Sequence, residues 1–191
     1  MSDSEVFLDF DNRTFTELSP DSTKSNDFFK CLFKSCDLTD FHFDGILDTC
    51  TFEECNLSLT SFKHSKLQGV KFLNCKLLGI NFTECSPLGL ALAFKSCMIR
   101  SCNFNYLDLS KTVFSGCNIF ETDFIGTNLT GSNFSYSEFQ NVTFHNTILI
   151  NADFTNAHEY QINPLSNQIK NAKFSLPDAV SLLSNMGVKL S

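Results

Sequence analysis

Apolar residues recur at every fifth position through the middle of the chain, from residue 94 to residue 154. Neither regular element explains this spacing, because a helix repeats its buried face every 3.6 residues and a strand every second residue. The interval instead predicts an internal repeat in which five residues form one side and one corner of a coil. The positions are Phe94, Ile99, Phe104, Leu109, Phe114, Ile119, Phe124, Leu129, Phe134, Phe139, Phe144, Leu149 and Phe154.

The same positions also repeat every 20 residues, which predicts four sides to each coil. Two opposite sides would carry Phe and the other two mainly aliphatic residues. In each unit, the central residue and the residue two places before it would point inward, and the other three outward. Successive coils would stack as parallel β-ladders about 4.8 Å apart. The predicted structural core is Phe94, Phe104, Phe114, Phe124, Phe134, Phe144 and Phe154.

The pattern divides the chain into three parts. We expect an N-terminal capping segment over residues 1–27, in which Val6–Phe10 could form a strand, and a β-helix over residues 28–156. One residue is missing from the pattern at a register break near 44–51. Two are extra at a bulge near 83–93, which could be a kink between two stacks or a small recognition loop.

The remaining residues, 157–191, predict a short helix. Ser175 suits its N-cap, Pro177 and Asp178 suit its first turn, and Gly187 suits the position after its end. Its apolar face could cap the final coil or pair two chains. This face comprises Ala179, Val180, Leu182, Leu183 and Met186, and Val188 and Leu190 follow as a short apolar tail of the kind a strand would use.

The nine cysteines are expected to be free, buried thiols. The first residues lack the basic end and apolar run of a signal peptide, and no stretch of 18 apolar residues would span a membrane. We therefore expect a cytoplasmic, reducing location. A metal site is not expected, because the Cys-to-Cys interval is the repeat interval. Stacking aligns Cys36, Cys55, Cys75, Cys97 and Cys117 in one inward ladder, with Cys31 and Cys50 on a neighbouring side.

The charge of the chain is −7 but is unevenly distributed. Residues 1–60 contain 13 acids and 4 bases, residues 61–100 contain 1 acid and 6 bases, and residues 101–160 contain 6 acids and 1 base. Such a balance argues against direct nucleic-acid binding and is compatible with a simple role in solubility. The basic band consists of Lys63, Lys66, Lys71, Lys76, Lys95 and Arg100.

No catalytic arrangement is apparent, and neither enzymatic activity nor a cofactor is expected. The sequence has no Gly-rich phosphate loop or HExxH motif, and a filled rod offers no pocket that excludes water. Three of the four histidines fall next to repeat centres, at outward positions, and the fourth lies beyond the coils. These are His42, His64, His145 and His158.

Several units resemble the repeat of the pentapeptide-repeat family: Thr127-Asn-Leu-Thr-Gly, Ser132-Asn-Phe-Ser-Tyr and Ala152-Asp-Phe-Thr-Asn. This resemblance implies an all-β fold, a right-handed quadrilateral parallel β-helix, here followed by a short C-terminal α-helix.

The end of the chain resembles the topoisomerase-protecting branch of that family, which includes the Qnr quinolone-resistance proteins and the microcin immunity proteins. The matching segments are Ile162-Asn-Pro, Lys173-Phe-Ser-Leu-Pro and the ending that runs from Leu182-Leu to Met186-Gly-Val. The resemblance implies a homodimer joined through the C-terminal helix. The candidate interface is then Val180, Leu183, Met186 and Val188.

The same resemblance implies a DNA mimic that binds DNA gyrase, with topoisomerase IV as a further target, and protects it from a drug or toxin. Outward acids near the C-terminal helix form the candidate partner-binding surface, although they do not map to a single side. They are Asp108, Glu121, Asp123, Glu138 and Asp153. The basic band departs from a uniformly acidic mimic. A scaffold for an unrelated protein is the alternative, and a thiol metal binder is a third class.

Overall fold

The predicted β-helix is confirmed. The computed structural model describes residues 9–18 and 27–189, which form an all-parallel β-solenoid of about eight turns with one short helix. Each turn runs along four walls, which we label A to D in chain order. The strands are β1 (Asp9–Asp11), β2 (Thr14–Phe15), β3 (Asp27–Phe29), β4 (Leu32–Lys34), β5 (Ile46–Asp48), β6 (Thr51–Glu53), β7 (Lys66–Gln68), β8 (Val70–Leu73), β9 (Lys76–Leu78), β10 (Leu92–Lys95), β11 (Met98–Arg100), β12 (Val113–Ser115), β13 (Asn118–Phe120), β14 (Glu138–Gln140), β15 (Asp153–Phe154) and β16 (Lys173–Phe174).

The walls differ in how regularly their strands pair. Wall A contains the sheet β1-β3-β5-β7, and wall B contains the sheet from β2 to β12 together with the pair β15-β16. Wall C contains β9-β11-β13-β14. Wall D is held by isolated parallel bridges such as Asn103 to Asp123, and a 3-10 turn, Phe82–Glu84, lies on it. Walls B and D face each other across the core.

The core is two facing columns of Phe rings, as the period of 20 predicts. The rings of wall B, from Phe15 to Phe174, stack with centroids 4.5–5.2 Å apart. The rings of wall D, from Phe43 to Phe144, stack at 4.7–6.0 Å. Rings of the two columns meet edge to face, which is a favoured arrangement of aromatic quadrupoles.

The inward residue two places before each centre has a hydrogen-bonding role. The thiols of Cys55, Cys75 and Cys97 donate to backbone carbonyls of the preceding coil at 3.2, 3.4 and 3.3 Å. Towards the C-terminus, hydroxyls do the same: Thr127 and Ser132 donate at 2.9 and 3.0 Å. Small residues with a donor therefore provide hydrogen bonds to buried backbone carbonyls that would otherwise lack a partner. The five-cysteine ladder predicted from the sequence is present, and all five thiols are buried.

The ladders continue through both irregular spacings. Phe33 pairs with Phe52, one residue short of the regular step, and Leu47 is a wall A centre that the sequence pattern did not reveal. Phe72 pairs with Phe94, two residues beyond the regular step, and their rings stay stacked at 5.0 Å. The extra residues form an outward loop near Leu88, which is 71% exposed, and the wall B ladder continues past it.

Parallel pairing extends beyond residues 28–156 at both ends. Strand β1 pairs with β3 and β2 with β4, so the segment before Phe28 adds to the coil stack. Residues Val6–Leu8 of the predicted N-terminal strand lie outside the described residues. At the other end, β16 pairs with β15, and the ring of Phe174 stacks on Phe154 at 5.2 Å.

The C-terminal helix, α1 (Val180–Asn185), is shorter than the sequence signals predict. The prediction of Ser175 as its N-cap is wrong, because the Ser175 hydroxyl accepts a hydrogen bond from the Asn156 amide of the last coil. Gly187 does end the helix with φ 78°, and the Val188 amide donates to the Leu183 carbonyl at 3.1 Å. Val188 is not in a strand, and Leu190 is outside the described residues. Among residues 9–18 and 27–189, none of the helices has the length and hydrophobicity of a membrane span.

Candidate partner-binding surface

The outer face of the walls carries the candidate binding residues, because the interior is filled. Each coil takes about 20 residues, so the three charge segments of the sequence become bands along the rod. Four lysines of the basic band lie on four successive walls, one on each: Lys63 on D, Lys66 on A, Lys71 on B and Lys76 on C. The basic band is therefore a ring around the rod, between two acidic sections.

The five candidate acids do not form a single surface. Asp108 lies on wall A and Asp153 on wall B, whereas Glu121 and Glu138 lie on wall C and Asp123 lies on wall D. A ligand that contacts one wall therefore meets at most two of them.

Two of these acids hold turns. The Asp108 carboxylate accepts a hydrogen bond from the Ser110 amide at 3.0 Å, and the Asp153 carboxylate accepts one from the Thr155 amide at 2.9 Å. The neutral Asn133 makes the same bond to the Ser135 amide at 2.8 Å. Asn or Asp therefore recurs before the repeat centres because its side-chain oxygen closes the corner. The sequence shows this recurrence, but its structural role becomes clear only from these contacts.

Glu121 and Asp153 are also paired with cations. Arg100 donates to both carboxylate oxygens of Glu121 at 3.0 Å, and Ser101 donates at 3.1 Å. These hydrogen bonds, with Arg100 the largest contributor, lower the pKa of Glu121. Asp153 is 3.4 Å from the Lys173 ammonium. Among the five, only Asp123 and Glu138 have carboxylates without a side-chain partner within the described ranges.

Helix α1 has one face on the rod and one face in solvent. Leu182 packs against the core, and the Asn185 side chain donates to the Ile162 carbonyl at 3.0 Å. The other face is apolar and exposed, so the helix caps the last coil and still presents a face that could pair chains. Its members are Val180 at 36%, Leu183 at 40%, Met186 at 50% and Val188 at 44% exposure.

A polar cluster fixes the segment before the helix. Asp178 accepts a hydrogen bond from the Glu159 amide at 3.1 Å and lies 3.0 Å from His158 Nδ1. Beside it, burial and the Asp178 charge raise the pKa of Tyr160 to about 12. The Tyr160 hydroxyl is buried and has no hydrogen-bond partner among the described residues. The sequence marked Asp178 only as a first-turn helix residue, and its contact with His158 depends on the fold.

Comparison with known proteins identifies the repeat and a similar fold. A family model described as a pentapeptide repeat region matches residues 26–97 and 97–174. A trypsin-treated form of QnrB1, described as a plasmid-mediated fluoroquinolone resistance protein, is 18% identical with a TM-score of 0.73, over 97% of this chain and 98% of that one. Full-length QnrB1 is 16% identical with a TM-score of 0.55, over 95% and 100%. A search of curated protein sequences gives no match.

Proposed function

The chain belongs to the pentapeptide-repeat family, and we propose that, as a member of it, the protein binds DNA gyrase and protects it from a topoisomerase poison. The poison would be a drug, giving antibiotic resistance, or a toxin, giving self-immunity. Topoisomerase IV is a second target under the same proposal. Binding to gyrase places the protein in the cytoplasm, where its nine free, buried cysteines would stay reduced.

The observation that carries this proposal is the similarity of fold to QnrB1 over 97% of this chain and 98% of that one. QnrB1 is described as a fluoroquinolone resistance protein, and a shared rod offers a partner the same general shape. At 18% identity the shared feature is the fold, so the activity of this chain has to be tested directly.

The physical basis of protection would be competition with DNA for gyrase. About eight turns at about 4.8 Å give a rod about 38 Å long, with a net charge of −7. Duplex DNA carries one charge per about 1.7 Å, so the rod imitates its shape more closely than its charge density. Asp123 and Glu138 offer free carboxylates, whereas Asp108 and Asp153 are engaged in turns.

A homodimer would double the length of the rod. The exposed face of helix α1, with Leu183 and Met186 at its centre, is the proposed interface, because pairing two such faces removes apolar surface from water. Leu183→Glu should yield monomers in analytical ultracentrifugation. Gln168→Glu, which adds the same charge to an exposed position of the last coil, should leave the dimer intact. If Leu183→Glu stays dimeric, the helix serves only as a cap.

Supercoiling of relaxed plasmid by gyrase, inhibited by a fluoroquinolone, tests the function. We expect the protein to restore supercoiling and the double variant Asp123→Asn, Glu138→Gln to restore less. The matched double variant Asp108→Asn, Asp153→Asn keeps the turn-forming oxygens and should protect like the wild type. Absence of protection at micromolar dimer would exclude the proposal for that poison and favour a scaffold for an unrelated protein.

A further inference from the structure

Wall C carries apolar side chains at positions that face solvent. Along a strand of this fold, inward and outward residues alternate, and the outward ones are usually polar. In β9, β11 and β13, however, Leu78 and Phe120 are half-buried and outward, and Met98 is 45% exposed. Leu59, which is 56% exposed, adds a fourth apolar side chain. It lies over Gly79, the residue after Leu78, with its Cδ2 2.9 Å from the position that a Cβ on Gly79 would occupy.

Cations alternate with these apolar residues. Lys76 precedes Leu78 by two residues in β9, and the ladder places Met98 beside Lys76 and Arg100 beside Leu78. The next strand places Phe120 beside Arg100. The result is a checkerboard, which we name the wall C patch: Lys76, Leu78, Met98, Arg100 and Phe120. Part of it borders a shallow depression of about 550 Å³.

The positive charge of this region is largely unpaired. Within residues 9–18 and 27–189, neither Lys76 nor Lys71 and Lys95 of the adjoining wall B forms an ion pair. Arg100 is paired, but with an exposed Glu121 that a competing carboxylate can replace. A surface with free ammonium groups on a chain of net charge −7 is complementary to an anionic ligand.

We propose that the wall C patch docks an extended acidic segment of a partner protein that also carries apolar side chains. Carboxylates of the segment would meet Lys76, Lys71 and Lys95, and its apolar side chains would cover Met98 and Phe120. Nucleic acid fits less well, because its phosphates leave the apolar half of the patch uncovered and meet acidic sections on either side. A second copy docking symmetrically would place like charges against each other.

Asp123, on wall D, and the exposed face of helix α1 lie outside this patch, whereas Glu138 lies on the same wall, in the strand after Phe120. The proposal does not require gyrase to be the partner. Arg100 links the two regions, since its ion pair with Glu121 would open when the patch is occupied. A filled patch would therefore free one carboxylate on wall C.

Fluorescence anisotropy with a labelled synthetic peptide tests the proposal. The probe is a nine-residue peptide with Glu and Leu or Phe at alternate odd positions and Ser between them, so that acidic and apolar side chains share one face of an extended chain. One control peptide replaces Leu and Phe by Ser, and another replaces Glu by Lys. We expect the probe to bind and both control peptides not to bind. Added salt should weaken the binding of the probe, because it screens the ion pairs between Glu and Lys.

Matched variants locate the binding site. Lys76→Ser and Met98→Ser should each weaken the binding of the probe about tenfold, as expected for central contact residues. Lys111→Ser and Leu88→Ser, at an exposed cation and an exposed apolar residue near wall A, should leave it unchanged. The proposal is overturned if the probe does not bind at millimolar concentration, if the apolar-free peptide binds equally, or if all four variants behave alike. Competition by duplex DNA that outperforms the probe would also overturn it.

Discussion

Replacement of Phe124 by Ala should cause a large loss of stability, because the ring is fully buried in the wall D column and also contacts the wall B column. It stacks on Phe104 at 5.2 Å and Phe144 at 5.3 Å, and it meets Phe114 and Phe134 edge to face at 5.6 and 6.0 Å. A buried Phe→Ala change costs about 3–5 kcal/mol, and more when the surroundings cannot collapse.

The upper end of that range is expected here. The parallel ladders fix the spacing of the coils, so the neighbouring rings cannot move in to fill the space. The measured range already includes lost aromatic contacts, and Phe124 makes four of them, which also favours its upper end. We therefore expect a loss near 5 kcal/mol, a large part of the total stability of about 5–15 kcal/mol that is usual for a domain.

Urea unfolding followed by circular dichroism measures this loss as a shift of the midpoint at unchanged slope. Tyr136→Ala is the matched control, because that ring is 69% exposed and its removal should change stability by no more than about 0.5 kcal/mol. A loss below about 1 kcal/mol for Phe124→Ala, or equal losses for the two variants, would refute the account of a solenoid filled with stacked rings.

Three further predictions concern buried or coupled groups. Burial raises the pKa of Cys50 to about 12 and that of Cys102 to about 11, so iodoacetamide near pH 9.0 should label them only after denaturation; labelling of the native protein at the unfolded rate would contradict this. Tyr160→Phe should leave stability unchanged or raise it by about 1 kcal/mol, since the hydroxyl is buried without a partner; a comparable loss in urea unfolding would mean that it has one. Burial alone would raise the pKa of Asp178, but hydrogen bonds from the Glu159 amide and His158 lower it below 3.8. The stabilisation that ionised Asp178 contributes to the folded state is therefore fully present above pH 3.8. It is lost as the pH falls through the folded-state pKa of Asp178. Hydrogen exchange in helix α1 should accelerate over that window in the wild type but not in Asp178→Asn, and equal pH profiles would contradict the assignment.

The interior could be read from the sequence because each repeat specifies it locally. The identity of residues 94, 114, 134 and 154 placed four rings in one column, and the aligned cysteines placed five thiols in one ladder before any contact was known. The five-residue interval also predicted which residues face outward. It missed Leu47, because the register break places that centre four residues after Phe43 instead of five.

The contacts on the outer surface depend on which residues of successive coils become neighbours. That pairing is set by every insertion and deletion in the coils between them. The two extra residues near Leu88 place Met98 beside Lys76, and no single repeat contains the information that joins them. The pairing of Arg100 with Glu121 and the contact of Asp178 with His158 arise in the same way. By itself the sequence determined the coil, its filling and the existence of a C-terminal helix. Only the tertiary structure decided which charges are free, because pairing across coils requires the backbone of both coils to be in place.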